Sequence, residues 1–182
     1  MVGASNISRQ SATSTILLGA IVAVACFLLP FKAVAQQFTI KQQNDTLWVL
    51  SLDSGGKVAT WELPYQVYRF AVADVNNDGI EDALVGVYKH SRFFPEPSRR
   101  VFIFKNYHGL IRPLWLSSRL GGELVDFTVD GNHLRAIEVM SQEGDYVIND
   151  YSWQGFGMGW TKCVASFKTI DESYQFLNIN KP

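Results

Sequence analysis

Cysteine is nearly absent from this chain of 182 residues, which holds only Cys26 and Cys163. So few thiols exclude a disulfide framework. Histidine is as scarce: His90, His108 and His133 fall in different loops or strand ends, without metal-ligand spacing. Neither a His-Glu-x-x-His helix nor a Gly-x-Ser-x-Gly elbow occurs, so the common hydrolase signatures are missing. An excess of either charge is also lacking, with 16 Lys+Arg against 17 Asp+Glu. That balance offers no footprint for nucleic acid or an anionic membrane surface. Helical periodicity is missing almost throughout, and only one long apolar run exists, from Ile16 to Phe31.

That run has a direct reading. Arg9 and a polar stretch precede it, and Ala33-Val34-Ala35 follows before Gln36. A basic start, an apolar centre and a small-x-small site make the pattern of a secretory signal peptide. The run is shorter than the ~20 residues of a spanning helix. The alternative is a retained membrane or lipid anchor, the latter through Ala23-Val24-Ala25 before Cys26. Residues 1–35 are thus read as signal and 36–182 as a single domain, secreted or periplasmic, or anchored at the cell envelope. The segment carries Arg9 and Lys32 and no acid, so the remainder has a net charge of −3. Cys163 is then alone, in a strand-like run where a thiol is expected to pack as a small buried hydrophobe.

What is abundant is β-branched and aromatic residues in short runs broken by Gly, Asn and Asp. Runs at 47–52, 57–63, 67–73 and 83–88 form one group, and 100–104, 111–116, 124–129 and 134–140 a second. Two more follow at 146–153 and 160–167, and 170–177 reads as a short helical turn. This spacing predicts an all-β fold of antiparallel four-stranded, blade-like meanders. The two groups match at an offset of 54 residues, Leu47 onto Val101, a length suited to a propeller blade. The count is about two and a half blades, too few to close a ring. Open edges need cover, from a partner or from a second copy of the chain, unless the strands close differently, as a sandwich or open barrel.

Between the strand-like runs ending at Ala73 and starting at Ala83 stands Asp74-Val-Asn-Asn-Asp-Gly-Ile-Glu-Asp82. Oxygen side chains at Asp74, Asn76, Asp78 and Asp82 alternate around Gly79, which permits a sharp turn. The Ile80 carbonyl adds a further oxygen, and Ca²⁺ takes six to eight such ligands. An EF-hand would need Glu at the twelfth position, which is Val85. The bland alternative is an Asn/Gly-rich hairpin turn without metal.

The stretch from Phe70 to Val85 resembles an FG-GAP or VCBS repeat, the blade unit of integrin-α-type β-propellers and of many bacterial secreted proteins. The resemblance implies Ca²⁺ held by Asp74, Asn76, Asp78, Ile80 and Asp82. In the second group the corresponding loop has shrunk to Val129-Asp130-Gly131-Asn132.

Three further features matter. Arg92 to Arg100 combines Phe93, Phe94, Arg99 and Arg100 with stiffening prolines, which suggests a partner-binding loop; the plain alternative is a linker. Gly155-Phe-Gly-Met-Gly159 precedes no helix and reads as a strand connection rather than a dinucleotide loop. Trp61, Trp115, Trp153 and Trp160 are expected to pack inward rather than form a sugar platform. The chain is therefore expected to be a non-enzymatic secreted β-repeat module with one structural calcium, binding protein or glycan. The alternatives are a cell-envelope accessory subunit that completes its sheet on a partner, and a glycan hydrolase using two of Glu62, Glu123, Glu138 and Asp150.

Overall fold

A computed structural model describes residues 36–91, 94–116, 119–140 and 145–182. The predicted signal segment and Phe93 lie outside the described residues. Eleven strands and one helix follow in order. The first sheet holds β1 (Gln36–Gln42), β2 (Trp48–Ser54) and β3 (Val58–Leu63). The second holds β4 (Gln66–Ala73), β5 (Asp82–Lys89), β6 (Ser98–Tyr107) and β7 (Leu110–Leu116). The third holds β8 (Glu123–Asp130), β9 (His133–Val139), β10 (Tyr146–Trp153) and β11 (Met158–Phe167), and α1 (Ile170–Leu177) closes the chain.

Every described strand pairing is antiparallel, and each sheet is a meander of consecutive strands. The predicted all-β, blade-like organisation is what the structure has. The sheets divide the chain at different points from the two sequence groups, however. The 54-residue offset does relate β2 to β6 and β4 to β8, but the blades begin at β4 and β8. β1 supplies a third strand to the first sheet through Phe38 and Ile40, which alternate with polar residues.

Two cores hold the sheets together, one on each face of the second sheet. Ala83, Val85, Val87, Phe102 and Phe104 turn to the first sheet and meet Phe38, Leu50, Leu52 and Leu63. Leu84, Val101 and Ile103 turn the other way, toward Leu124, Phe127, Leu134 and Ala136. Strands β5 and β6 are covered on both faces and so read as unbroken apolar runs rather than alternating ones. Trp61 lies against Phe104 with ring centroids 5.5 Å apart.

A bulge in β4 links the second sheet to the third. Val67 pairs with Val87 and Arg69 with Gly86, so Tyr68 has no ladder partner. Its ring packs edge-on against Phe127 at 6.3 Å. Gly86 makes that path possible, since a Cβ there would stand 2.7 Å from the Tyr68 ring and 2.9 Å from the Arg69 Cβ. Gly86→Ala should therefore destabilise the protein by about 1–3 kcal/mol through overpacking. Urea unfolding measures this, and a variant as stable as wild type would contradict the contact.

Helix α1 lies against β10 and β11. Thr169 and Glu172 form a reciprocal capping box at its start, and Asn178 closes it in the left-handed region (φ 52°). Phe176 meets Phe167 at 5.4 Å. The tail returns to the second sheet, where Arg69 Nη2 donates to the Asn180 carbonyl at 2.6 Å.

Candidate functional site

The acidic segment is the hairpin loop between β4 and β5, anchored by Val75, whose side chain is buried in the second core. Asn77 and Gly79 both take positive φ, 60° and 84°. Nothing stands within 4 Å of where a Gly79 Cβ would be, so conformation rather than space favours glycine there. The Asp78 amide donates to Asp74 Oδ1 and Asn76 Oδ1, both at 3.0 Å, and the Gly79 amide to Asp74 Oδ2 at 2.8 Å. Asn76 Nδ2 donates to Asp78 Oδ2 and the Ile80 amide to Asp78 Oδ1, each at 2.9 Å. Asp74, Asn76 and Asp78 thus spend oxygens on the loop's own donors.

Asp82 behaves differently. The residue is 1 % exposed, and neither carboxylate oxygen has a hydrogen-bond partner of normal geometry among the described residues. The amides of Val75 and Asn76 face it and lower its proton affinity, but they do not form bonds of normal geometry. Burial dominates, helped by the charges of Asp78 and Asp74, and pushes the carboxyl up to about 7. Its ladder partner Lys105 turns its ammonium toward the Tyr107 ring, at 5.6 Å. The loop therefore brings the predicted carboxylates into one electrostatic neighbourhood. Among the described residues no three His, Cys, Asp or Glu side chains stand as a formed metal centre.

Other sequence-predicted residues are scattered. Glu138 is fully buried and accepts from the Gly122 amide at 2.7 Å, Asn149 Nδ2 at 2.7 Å and the Tyr151 hydroxyl at 2.6 Å. Asp150 is bound by Arg135, whose Nε donates to Oδ1 at 2.7 Å and holds the carboxyl below its ordinary range. Glu138 pairs opposite Val147 and Asp150 opposite Arg135, so these acids point to opposite faces of the third sheet. Trp61 and Trp115 belong to different cores. Residues 154–157 join β10 to β11, with Gly159 already in β11, and the Gln154 amide donates to the Gly157 carbonyl at 2.8 Å.

Two expectations are corrected here. Cys163 is exposed rather than buried, and Trp160 is 61 % exposed. Two register shifts between β10 and β11 leave Val164 and Thr161 unpaired and keep Cys163 and Trp160 on the face that carries the second core, but β11 is an edge strand of its sheet and leaves them uncovered. Cys163 then sits opposite Asn149 and Trp160 opposite Tyr151, on one side of an edge strand.

In the loop before β6, Phe94 is exposed; Arg99, at the start of β6, is half-buried and donates to the Val125 carbonyl, with its guanidinium 4.9 Å from the centre of the Tyr68 ring. Arg100 is buried. Arg119, which no sequence motif marks, joins this group across Phe94.

Comparison with protein-family models, with curated proteins and with solved structures finds no match for this chain.

Proposed function

We propose that the protein is a non-enzymatic β-repeat module of the FG-GAP/VCBS type, stabilised by one Ca²⁺ and used outside the cytoplasm to bind protein or glycan. The observation that carries the calcium reading is Asp82, buried with neither oxygen hydrogen-bonded among the described residues, behind a loop of further oxygen donors. A buried carboxylate without a partner costs several kcal/mol, and a hard cation offsets that cost. Asp74, Asn76, Asp78, the Ile80 carbonyl and Asp82 would hold the ion, with water completing the shell. The ion supplies charge neutralisation, and the residues around it fix the β4–β5 hairpin and its register. Three open meanders, with the loop in the first hairpin of the second sheet, fit the repeat reading.

The localisation rests on the N-terminal signal pattern. Among the described residues no helix is long and apolar enough to cross a membrane. The second reading, an accessory subunit docking through its sheet edges, is favoured by the fact that none of the three sheets closes. Sedimentation at micromolar concentration separates the two, because a stable monomer counts against assembly driven by edges.

Thermal unfolding in EDTA, in millimolar Ca²⁺ and in Mg²⁺ tests the calcium reading. At ~2 mM ion and ~10⁻⁴ M affinity the expected gain is about 1.8 kcal/mol, or roughly 4–7 °C for a domain of this size. Asp78→Ala should abolish the gain; the same rise in wild type and variant would refute the ligand assignment.

A further inference from the structure

A second site stands apart from the acidic loop. Arg100 is 4 % exposed, and its Nε is buried without a hydrogen-bond partner among the described residues. No ion pair among the described residues includes Arg99, Arg100 or Arg119. Arg100 and Arg119 instead share one ring, each guanidinium lying 5.5 Å from the centre of Phe94. Burial and the neighbouring Arg119 charge both weaken the hold of Arg100 on its proton. Arg99 lines the same cleft but is committed to Val125 and Tyr68. Glu96 and Glu123 also line the cleft, and neither forms an ion pair with these arginines.

A buried charge normally sits in a pair, because its desolvation costs several kcal/mol. A cation–π contact returns only ~0.5–2 kcal/mol. The cleft beside Arg100 has a volume of about 250 Å³. Among the described residues no carboxylate pairs with the guanidinium, whose planar edge binds an acceptor with two oxygens bidentately.

We propose that the cleft walled by Phe94, Arg100 and Arg119 binds an oxyanion, a carboxylate or phosphate group of a small ligand. Arg100 is the two-pronged partner, Arg119 the exposed second cation, and the Phe94 ring holds both guanidiniums in place. This reading is independent of calcium, and its test is run on metal-free protein from which EDTA, itself a polycarboxylate, has been dialysed away.

Calorimetric titration of the protein at low ionic strength with inorganic phosphate and with glucuronate, against chloride, tests it. Binding of at least one probe, weakening with added salt, is expected. Phosphate alone would point to a phosphorylated ligand or the free ion, and glucuronate alone to a carboxylate-bearing sugar. Arg100→Lys keeps the charge and loses the fork, and should weaken binding at least about tenfold. Arg119→Gln lies on the surface, leaves the fold intact and should weaken binding about fivefold. Should Arg100→Lys fail to fold, Arg119→Gln decides. Binding of neither probe beyond chloride, or equal binding by wild type and Arg119→Gln, would overturn the proposal.

Discussion

In EDTA at about pH 8, Asp82→Asn is expected to unfold at a higher temperature than wild type and to gain nothing from calcium. Two effects act in opposite directions in EDTA. Wild type buries an ionised carboxylate that the Val75 and Asn76 amides face but that no hydrogen bond of normal geometry among the described residues satisfies, at a cost of several kcal/mol. The variant buries a neutral amide instead, also short of partners, at about 1–3 kcal/mol. The difference favours the variant by roughly 1–2 kcal/mol. Added Ca²⁺ reverses the order, because only wild type presents the inner carboxylate to the ion. The crossing of the two melting curves is the signature. A variant less stable than wild type in EDTA would mean that Asp82 is satisfied by donors of the fold, and the calcium reading would lose its main support.

The second large effect is expected at Arg69→Met. Asp126 has no solvent exposure, and Arg69 donates to it through Nε at 2.9 Å and through Nη2. The Phe127 amide adds a third donor at 2.8 Å. Removing the arginine leaves a buried carboxylate short of its counter-charge, which typically costs about 3–5 kcal/mol. It also releases the C-terminal tail, since the same guanidinium binds the Asn180 carbonyl. The double variant Arg69→Met/Asp126→Leu should recover most of the loss, because an apolar pair need not keep a charge buried. Urea unfolding of the single and double variants reads both. If the double variant is as unstable as Arg69→Met alone, the penalty does not come from a stranded Asp126.

Much of the architecture was legible because strand signals are local. Alternating and β-branched runs mark β2 to β11, and the Asp/Asn/Gly loop marks the β4–β5 hairpin. The helical tail was visible as well. Where blades begin was not legible, since an offset of 54 residues fixes the period of a repeat but not its phase. β1 escaped notice because Gln36–Gln42 carries only Phe38 and Ile40 among polar residues, and it directly follows the predicted cleavage point. The exposure of Cys163 was not legible because it follows from the place of β11 at the edge of its sheet, and strand order is not a local signal.

The site divides in the same way. Oxygen ligands at alternate positions can be read from a sequence, so Asp82 was found, but the burial of its carboxylate depends on how β5 sits between two cores. Arg100 stands among the first residues of β6, at the end of a segment already notable for Phe94 and arginines. That its guanidinium is buried unpaired, and that Arg119 arrives from another part of the chain, follows only from tertiary packing.

The most direct test of the calcium reading is titration calorimetry of the protein with Ca²⁺ after removal of all metal. The account predicts one site per chain with an affinity of ~10⁻⁴–10⁻³ M, absent in Asp82→Asn and weak or absent with Mg²⁺. No calcium binding over that range, or binding that survives Asp82→Asn unchanged, would contradict it.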